Sequence, residues 1–111
     1  NGFDGFGEAY FSTVKQGIKK GWKKHTEMTL NLIVVIGEIE FVIYDEYTKE
    51  YFNARLSHNN YQRLTVKSGL WMAFRGIDKY NMLLNLANIE HDPKENEKMS
   101  LDTFNYNWEN I

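Results

Sequence analysis

The 111-residue chain has no cysteine, a single proline, three histidines and no apolar run long enough to span a bilayer. Without cysteine there are no disulfides and no thiolate chemistry, which fits a reducing compartment. The one proline, in Asp92-Pro93, closes the strand region, because proline cannot donate to a sheet ladder. The missing apolar run and the lack of a signal-peptide pattern predict no membrane partner and a cytoplasmic location. The chain opens on Asn1 without an initiator methionine, which leaves room for residues upstream. Net charge is also small: −2, with a pI near 5.9, offers no global attraction to nucleic acid or to an anionic membrane. The local basic run of Lys15, Lys19, Lys20, Lys23 and Lys24 suits a small anion better than a polymer.

What the chain does have is apolar and aromatic side chains, at 42% and 15% of residues. That is enough for one hydrophobic core, so residues 1–111 are expected to form a single domain. Residues 1–7 read as a loose glycine-rich arm and residues 92–111 as a carboxy-terminal tail. Between Gly17 and Gly37 lies one β-rich stretch. Its even positions from Met28 to Ile36 are apolar, whereas Lys23, His25, Glu27, Thr29 and Asn31 are polar. The stretch is expected to be one strand with a packed face and a chemically equipped face. The equipped face either lines a pocket or meets water.

Other strands are expected at Glu8 to Val14, Gln62 to Val66, Leu70 to Phe74 and Tyr80 to Ile89. Gly37-Glu38 reads as the reversal of a half-buried hairpin in which Ile39, Phe41 and Ile43 alternate with polar neighbours. Asp45 to Ser57 is mixed and charged, and Ser57 to Asn60 is a turn cluster that exposes His58. Lys94 to Lys98 reads as a short helical turn. Phe104, Tyr106 and Trp108 then form a final strand or a packed tail, serving core or interface. Closely spaced strands without a long helix predict an all-β antiparallel sandwich or barrel.

Gly17, His25 and Gly37 keep the frame of the cupin signature, but Lys23 stands where its first histidine belongs and Leu30 where its glutamate belongs. A lone histidine cannot hold a divalent ion that requires three or four protein donors, so no metal is expected. The chain more closely resembles the metal-free dTDP-4-dehydrorhamnose 3,5-epimerase-like and dTDP-sugar ketoisomerase-like proteins. The resemblance rests on several segments: Gly7-Glu8-Ala9-Tyr10-Phe11-Ser12, Gly17-Ile18-Lys19-Lys20-Gly21-Trp22 with the following Lys-x-His, and Met28-Thr29-Leu30-Asn31-Leu32. Gly37-Glu38-Ile39 with Tyr44-Asp45, Gly69 to Gly76, His91-Asp92-Pro93 and Tyr106-Asn107-Trp108 complete it. It implies a double-stranded β-helix, or jelly roll, with the substrate in the barrel mouth, no cofactor, and a homodimer that trades edge strands. Relatives carry Trp-His-x-His where this chain has Trp22-Lys23-Lys24-His25, so a lysine occupies the position of their catalytic base. The epimerases also use a tyrosine near the place of His91.

Moving a carbonyl or inverting its neighbour needs a base for the adjacent proton, a cation or donor for the enolate, and an acid to return the proton. His25 is the expected base, since its unperturbed pKa lies close to working pH. Lys23 is expected to stabilise the enolate or, if desolvated, to act as base. His91 is a proton donor or a turn residue. Asn31 and Asn85, each between two leucines, either find structural partners or line a wet pocket. Lys20 and Arg75 are candidates for a diphosphate, and Trp22 and Trp71 for stacking on a base or sugar ring. The leading expectation is thus a nucleotide-sugar isomerase or epimerase of surface-polysaccharide biosynthesis. A non-catalytic nucleotide-sugar-binding cupin and a dimerising module built on the aromatic tail are the competing readings.

Overall fold

The computed structural model describes residues 5–108. Its strands are β1 (Glu8–Lys15), β2 (Lys19–His25), β3 (Leu30–Ile36), β4 (Glu38–Asp45), β5 (Glu50–Ser57), β6 (Leu64–Val66), β7 (Trp71–Gly76), β8 (Tyr80–Ala87) and β9 (Asn96–Lys98), with one 3₁₀ turn at Pro93–Glu95. All neighbouring strands are antiparallel, in a four-stranded sheet ordered β1-β8-β3-β6 and a five-stranded sheet ordered β5-β4-β7-β2-β9. The two sheets face each other as a jelly roll.

Period-two alternation builds the core. Val14, Leu30, Leu32, Val34, Leu83 and Ala87 point inward from the smaller sheet to meet Ile39, Phe41, Ile43 and Leu56 of the larger one. Ile39 and Phe41 are fully buried, and each such side chain contributes roughly 1.5–3 kcal/mol through removal from water. A second cluster lies on the outer face of the larger sheet. There Trp22, Val42, Trp71 and Ala73 are covered by Leu101, Phe104, Tyr106 and Trp108. Phe104 packs edge-on to Trp22 at 5.3 Å and tilts against Tyr44 at 4.6 Å and Trp71 at 5.4 Å. The aromatic part of the tail therefore packs on its own sheet, and residues 101–108 hold no strand.

The stretch from Gly17 to Gly37 is not one strand. The chain turns at residues 26–29 and passes from the larger sheet (β2) to the smaller (β3), so the inward positions are Lys23 and His25 in β2 but Leu30, Leu32 and Val34 in β3. Nor do β3 and β4 form a hairpin, because Gly37 carries the chain back to the other sheet. Gly37 has φ +79°, and a Cβ there would collide with the Tyr80 carbonyl and the Asn81 side chain, so only glycine fits. Asn81 locks this corner. It donates to the Val14 and Asp78 carbonyls at 2.9 and 2.8 Å and accepts from the Glu38 and Asp78 amides.

Two strands lie in segments not expected to hold any, β5 within the charged stretch from Asp45 and β9 where a helical turn was expected. Of the loose arm, Asn1 to Asp4, including Phe3, lie outside the described residues; the Gly7 amide bonds the Ala87 carbonyl at 2.7 Å. No helix among the described residues is long and apolar enough to cross a membrane.

Candidate active site

Between the sheets a cavity of about 350 Å³ opens to solvent. Its larger-sheet wall carries Lys20, Lys23, His25, Met72, Phe74 and Lys98; its smaller-sheet wall carries Tyr10, Ser12, Leu30, Leu32, Leu83 and Asn85. The turn at residues 26–29 sets the sequence-adjacent strands β2 and β3 on opposite walls, so that His25 faces an apolar floor.

His25 is nearly buried, at 7% exposure, and its Nδ1 lies 2.6 Å from Glu95 Oε1. The other carboxylate oxygen accepts the backbone amides of Glu27 and Met28 at 3.0 and 2.7 Å. Burial pushes the Glu95 carboxyl up, but the bond from His25 and the two amide bonds outweigh it, and the net shift is downward. An ionised carboxylate only accepts, so Nδ1 carries the imidazole proton and Nε2 is the basic nitrogen.

Glu95 reaches this place through backbone geometry. Asp92 caps the 3₁₀ turn by accepting the Lys94 amide, Pro93 opens the turn, and β9 then adds to the edge of β2 with Asn96 opposite His25. Thr26 binds the Glu95 carbonyl through both its amide and its hydroxyl.

The rim is cationic. Lys20 donates to the Thr13 carbonyl at 3.2 Å, and Lys23 lies directly across from Lys98. Burial first, and then the neighbouring Lys98 ammonium, hold the Lys23 amine below the usual lysine range. On the facing wall Asn85, 3% exposed, donates to the Tyr10 hydroxyl at 2.7 Å, and its Oδ1 has no hydrogen-bond partner among the described residues. Burial raises the Tyr10 phenol, and the Asn85 bond offsets part of that rise.

Of the residues singled out in the sequence, Lys20, Lys23, His25 and Asn85 meet at this cavity. Trp22 borders it, but its ring packs under the tail and its Nε1 donates to the Leu101 carbonyl. Four others lie elsewhere. Trp71 is buried in the outer cluster. Arg75 is buried on that same outer face, 2.6 Å from Glu40 and stacked over Trp108, away from the cavity. Asn31 accepts from the Thr65 hydroxyl at 2.7 Å, on the face of β3 opposite the cavity. His91 is exposed in the loop before Asp92 and does not line the cavity. Glu95, Lys98 and Tyr10 were not singled out. The only trace of Glu95 is its place two residues after Pro93, in a turn that points back to β2.

Among the described residues no three His, Cys, Asp or Glu side chains group where a metal ion could sit. Residues 8–105 match the family model FdtA: WxcM-like, C-terminal. The chain belongs to this family. A dTDP sugar isomerase from Desulfovibrio desulfuricans G20 is 31% identical, with a TM-score of 0.87 over 91% of this chain and 69% of that one. QdtA, a sugar 3,4-ketoisomerase from Thermoanaerobacterium thermosaccharolyticum solved with TDP, has 19% identity and a TM-score of 0.74 over 83% of this chain and 66% of that one. The 3,5-epimerase RmlC from Legionella pneumophila has 16% identity and a TM-score of 0.78, and here the chain spans 56% of its length. These last two likenesses bear on the fold alone. No curated protein matches the chain by sequence.

Proposed function

We propose that this protein isomerises or epimerises a dTDP-linked 4-keto-6-deoxy sugar without a metal, by removing a proton next to the carbonyl. The observation that carries the reading is the His25–Glu95 pair at the wall of a cavity whose other polar groups are cationic or neutral. A base with a fixed tautomer and nearby positive charge is what enolisation of a ketone requires.

In this reading Nε2 of His25 takes the proton, and the charge that gathers on the carbonyl oxygen is met by Lys23. Glu95 stabilises the imidazolium that forms, and the same imidazolium returns the proton. A cavity of about 350 Å³ takes the sugar. The diphosphate lies at the mouth against Lys20 and Lys98, and the nucleoside lies outside. Incubation with dTDP-4-keto-6-deoxyglucose, followed by NMR, is expected to show a rearranged sugar, and EDTA is expected to leave the rate unchanged. An unaltered sugar after hours of saturated binding would instead favour the second reading, a non-catalytic nucleotide-sugar-binding cupin. Lys23, standing where relatives carry histidine, is the observation behind that alternative.

The reading includes a homodimer working in the cytoplasm, where a cysteine-free chain needs no disulfide. Supporting the dimer, Phe11 is 61% exposed on the outer face of the smaller sheet, in register with Leu84 and Ile33 across three strands. A self-complementary apolar strip of this kind suits a two-fold interface. Sedimentation of the wild type and of Phe11→Glu checks it.

A further inference from the structure

Lys23 and Lys24 are adjacent in sequence and opposite in circumstance. Lys24 faces outward, bonded to Glu46 at 2.8 Å, near Glu97 at 3.5 Å and over the Trp71 ring. Lys23 faces the cavity, half-buried, with no ion pair and no hydrogen-bond acceptor for its amine among the described residues. On β2 it sits between Met72 of β7 and Lys98 of β9, and Leu30, Leu32, Phe74 and Leu83 complete the apolar part of the cavity wall.

Burial and the facing Lys98 ammonium make the Lys23 proton easier to lose than that of a solvated lysine. A fully solvated lysine is a poor nucleophile; one that loses water on an apolar wall and faces a second ammonium presents its amine more readily. The titratable groups around it are Lys98 on β9, Lys20 and His25 on its own strand, Tyr10 on β1, and Glu95, whose carboxylate is taken up by His25 and two amides. The placement of an uncommitted amine two residues from a general base, inside a cavity read as taking a ketone, is that of a carbonyl-reactive lysine.

We infer that Lys23 forms an imine with the carbonyl of the bound sugar, a step that rests on the keto-sugar reading above. The Nζ lone pair attacks the carbonyl carbon, a C–N bond forms, and the oxygen takes up a proton. The carbinolamine then loses that oxygen as water to leave a protonated imine. His25 removes the proton from the neighbouring carbon; the C–H electron pair becomes a C=C bond while the π pair of the C=N bond moves onto nitrogen, giving an enamine. Reprotonation of that carbon, on the opposite face for an epimerisation, and addition of water to the imine release the sugar with its carbonyl in place and restore the amine, so no electrons are gained or lost overall. In this step Lys23 acts as an electron sink, in place of the fixed charge that an enolate would need.

The test is reductive trapping of the whole chain with dTDP-4-keto-6-deoxyglucose and cyanoborohydride near neutral pH, read by intact mass and peptide mapping, beside solvent-deuterium exchange. The expected result is one sugar per chain, on Lys23, in the wild type and in Lys24→Arg. Lys23→Arg, which keeps the charge, is expected to lose the adduct and about a hundredfold of the exchange rate. Exchange by the wild type with no adduct on Lys23, or full exchange by Lys23→Arg, overturns the imine while leaving the isomerase reading intact. An adduct on Lys23 without exchange or product supports the imine and removes the isomerase. Absence of adduct, exchange and product removes both.

Discussion

His25 and Glu95 stand 70 residues apart in sequence and 2.6 Å apart in space, with the histidine at the cavity and the carboxylate behind it. The carboxylate reports on catalysis through the imidazole and on folding through the two amides it accepts, and the two effects separate experimentally. In Glu95→Gln the charge is lost while the shape remains. The expected outcome is a kcat lowered with little change in KM, because the imidazolium formed in the reaction has lost its counter-charge while the cavity keeps its shape. A KM raised in step with the loss of kcat would mean a merely structural role.

Stability in acid follows from the same pair. The Glu95 pKa in the fold lies below its ordinary value of 4.5. A carboxylate depressed in this way adds stability above its unfolded pKa and loses it as pH falls through the folded value. Denaturant midpoints are therefore expected to fall steadily below about pH 4.5 in the wild type, and less steeply in Glu95→Gln. The substitution Glu95→Ala strands the Glu27 and Met28 amides and is expected to cost about 2–6 kcal/mol at neutral pH, at about 1–3 kcal/mol for each unsatisfied group.

Arg75 and Glu40 make the buried ion pair of the outer face, directly opposite one another on β7 and β4. Arg75→Met leaves a buried carboxylate without its partner and is expected to destabilise the fold by about 3–5 kcal/mol. Adding Glu40→Met is expected to recover most of that. In both variants nucleotide-sugar binding per folded molecule, measured by calorimetry, should match the wild type.

Lys20 and Lys98 are expected to act on binding. Replacing Lys20 with alanine should raise KM for the nucleotide sugar and weaken its dependence on salt, with kcat within about threefold, as removal of uniform binding predicts, whereas Lys98→Ala should in addition lower kcat by removing the ammonium that faces Lys23. A fall in kcat with unchanged KM would move the diphosphate away from this rim.

The tail supplies a fifth check. Phe104 touches Trp22, Tyr44 and Trp71, and Phe104→Ala is expected to cost about 2–4 kcal/mol, near the lower end for a buried aromatic because the residue is only half-buried. Self-association should be unaffected, measured by sedimentation, since the tail covers its own sheet.

The all-β architecture was legible because strand alternation has a period of two and the inward sets that build the core, such as Ile39, Phe41 and Ile43, are apolar. What alternation could not show was where a strand stops. Residues 26–29, Thr-Glu-Met-Thr, include no glycine, proline, asparagine or aspartate to mark a turn, so the corner that separates β2 from β3 looks like uninterrupted strand. Strand β9 was hidden for the opposite reason: Asn96, Glu97 and Lys98 hold their place by backbone pairing to β2 and carry no apolar signature. With β9 unseen, Glu95 was unseen too. The argument that an amide between leucines needs a partner applied equally to Asn85 and Asn31, yet β8 aims one at the cavity while β3 aims the other at Thr65. Arg75 carried the right charge for a diphosphate, but its cross-strand neighbour is Glu40.

The most direct trial of the account is solvent exchange. In heavy water, dTDP-4-keto-6-deoxyglucose should acquire deuterium on a carbon beside its carbonyl when the protein is present, and His25→Ala should slow that uptake by about 10²–10⁴-fold while the nucleotide sugar still binds. Undiminished uptake in His25→Ala, or none in the wild type, would contradict it.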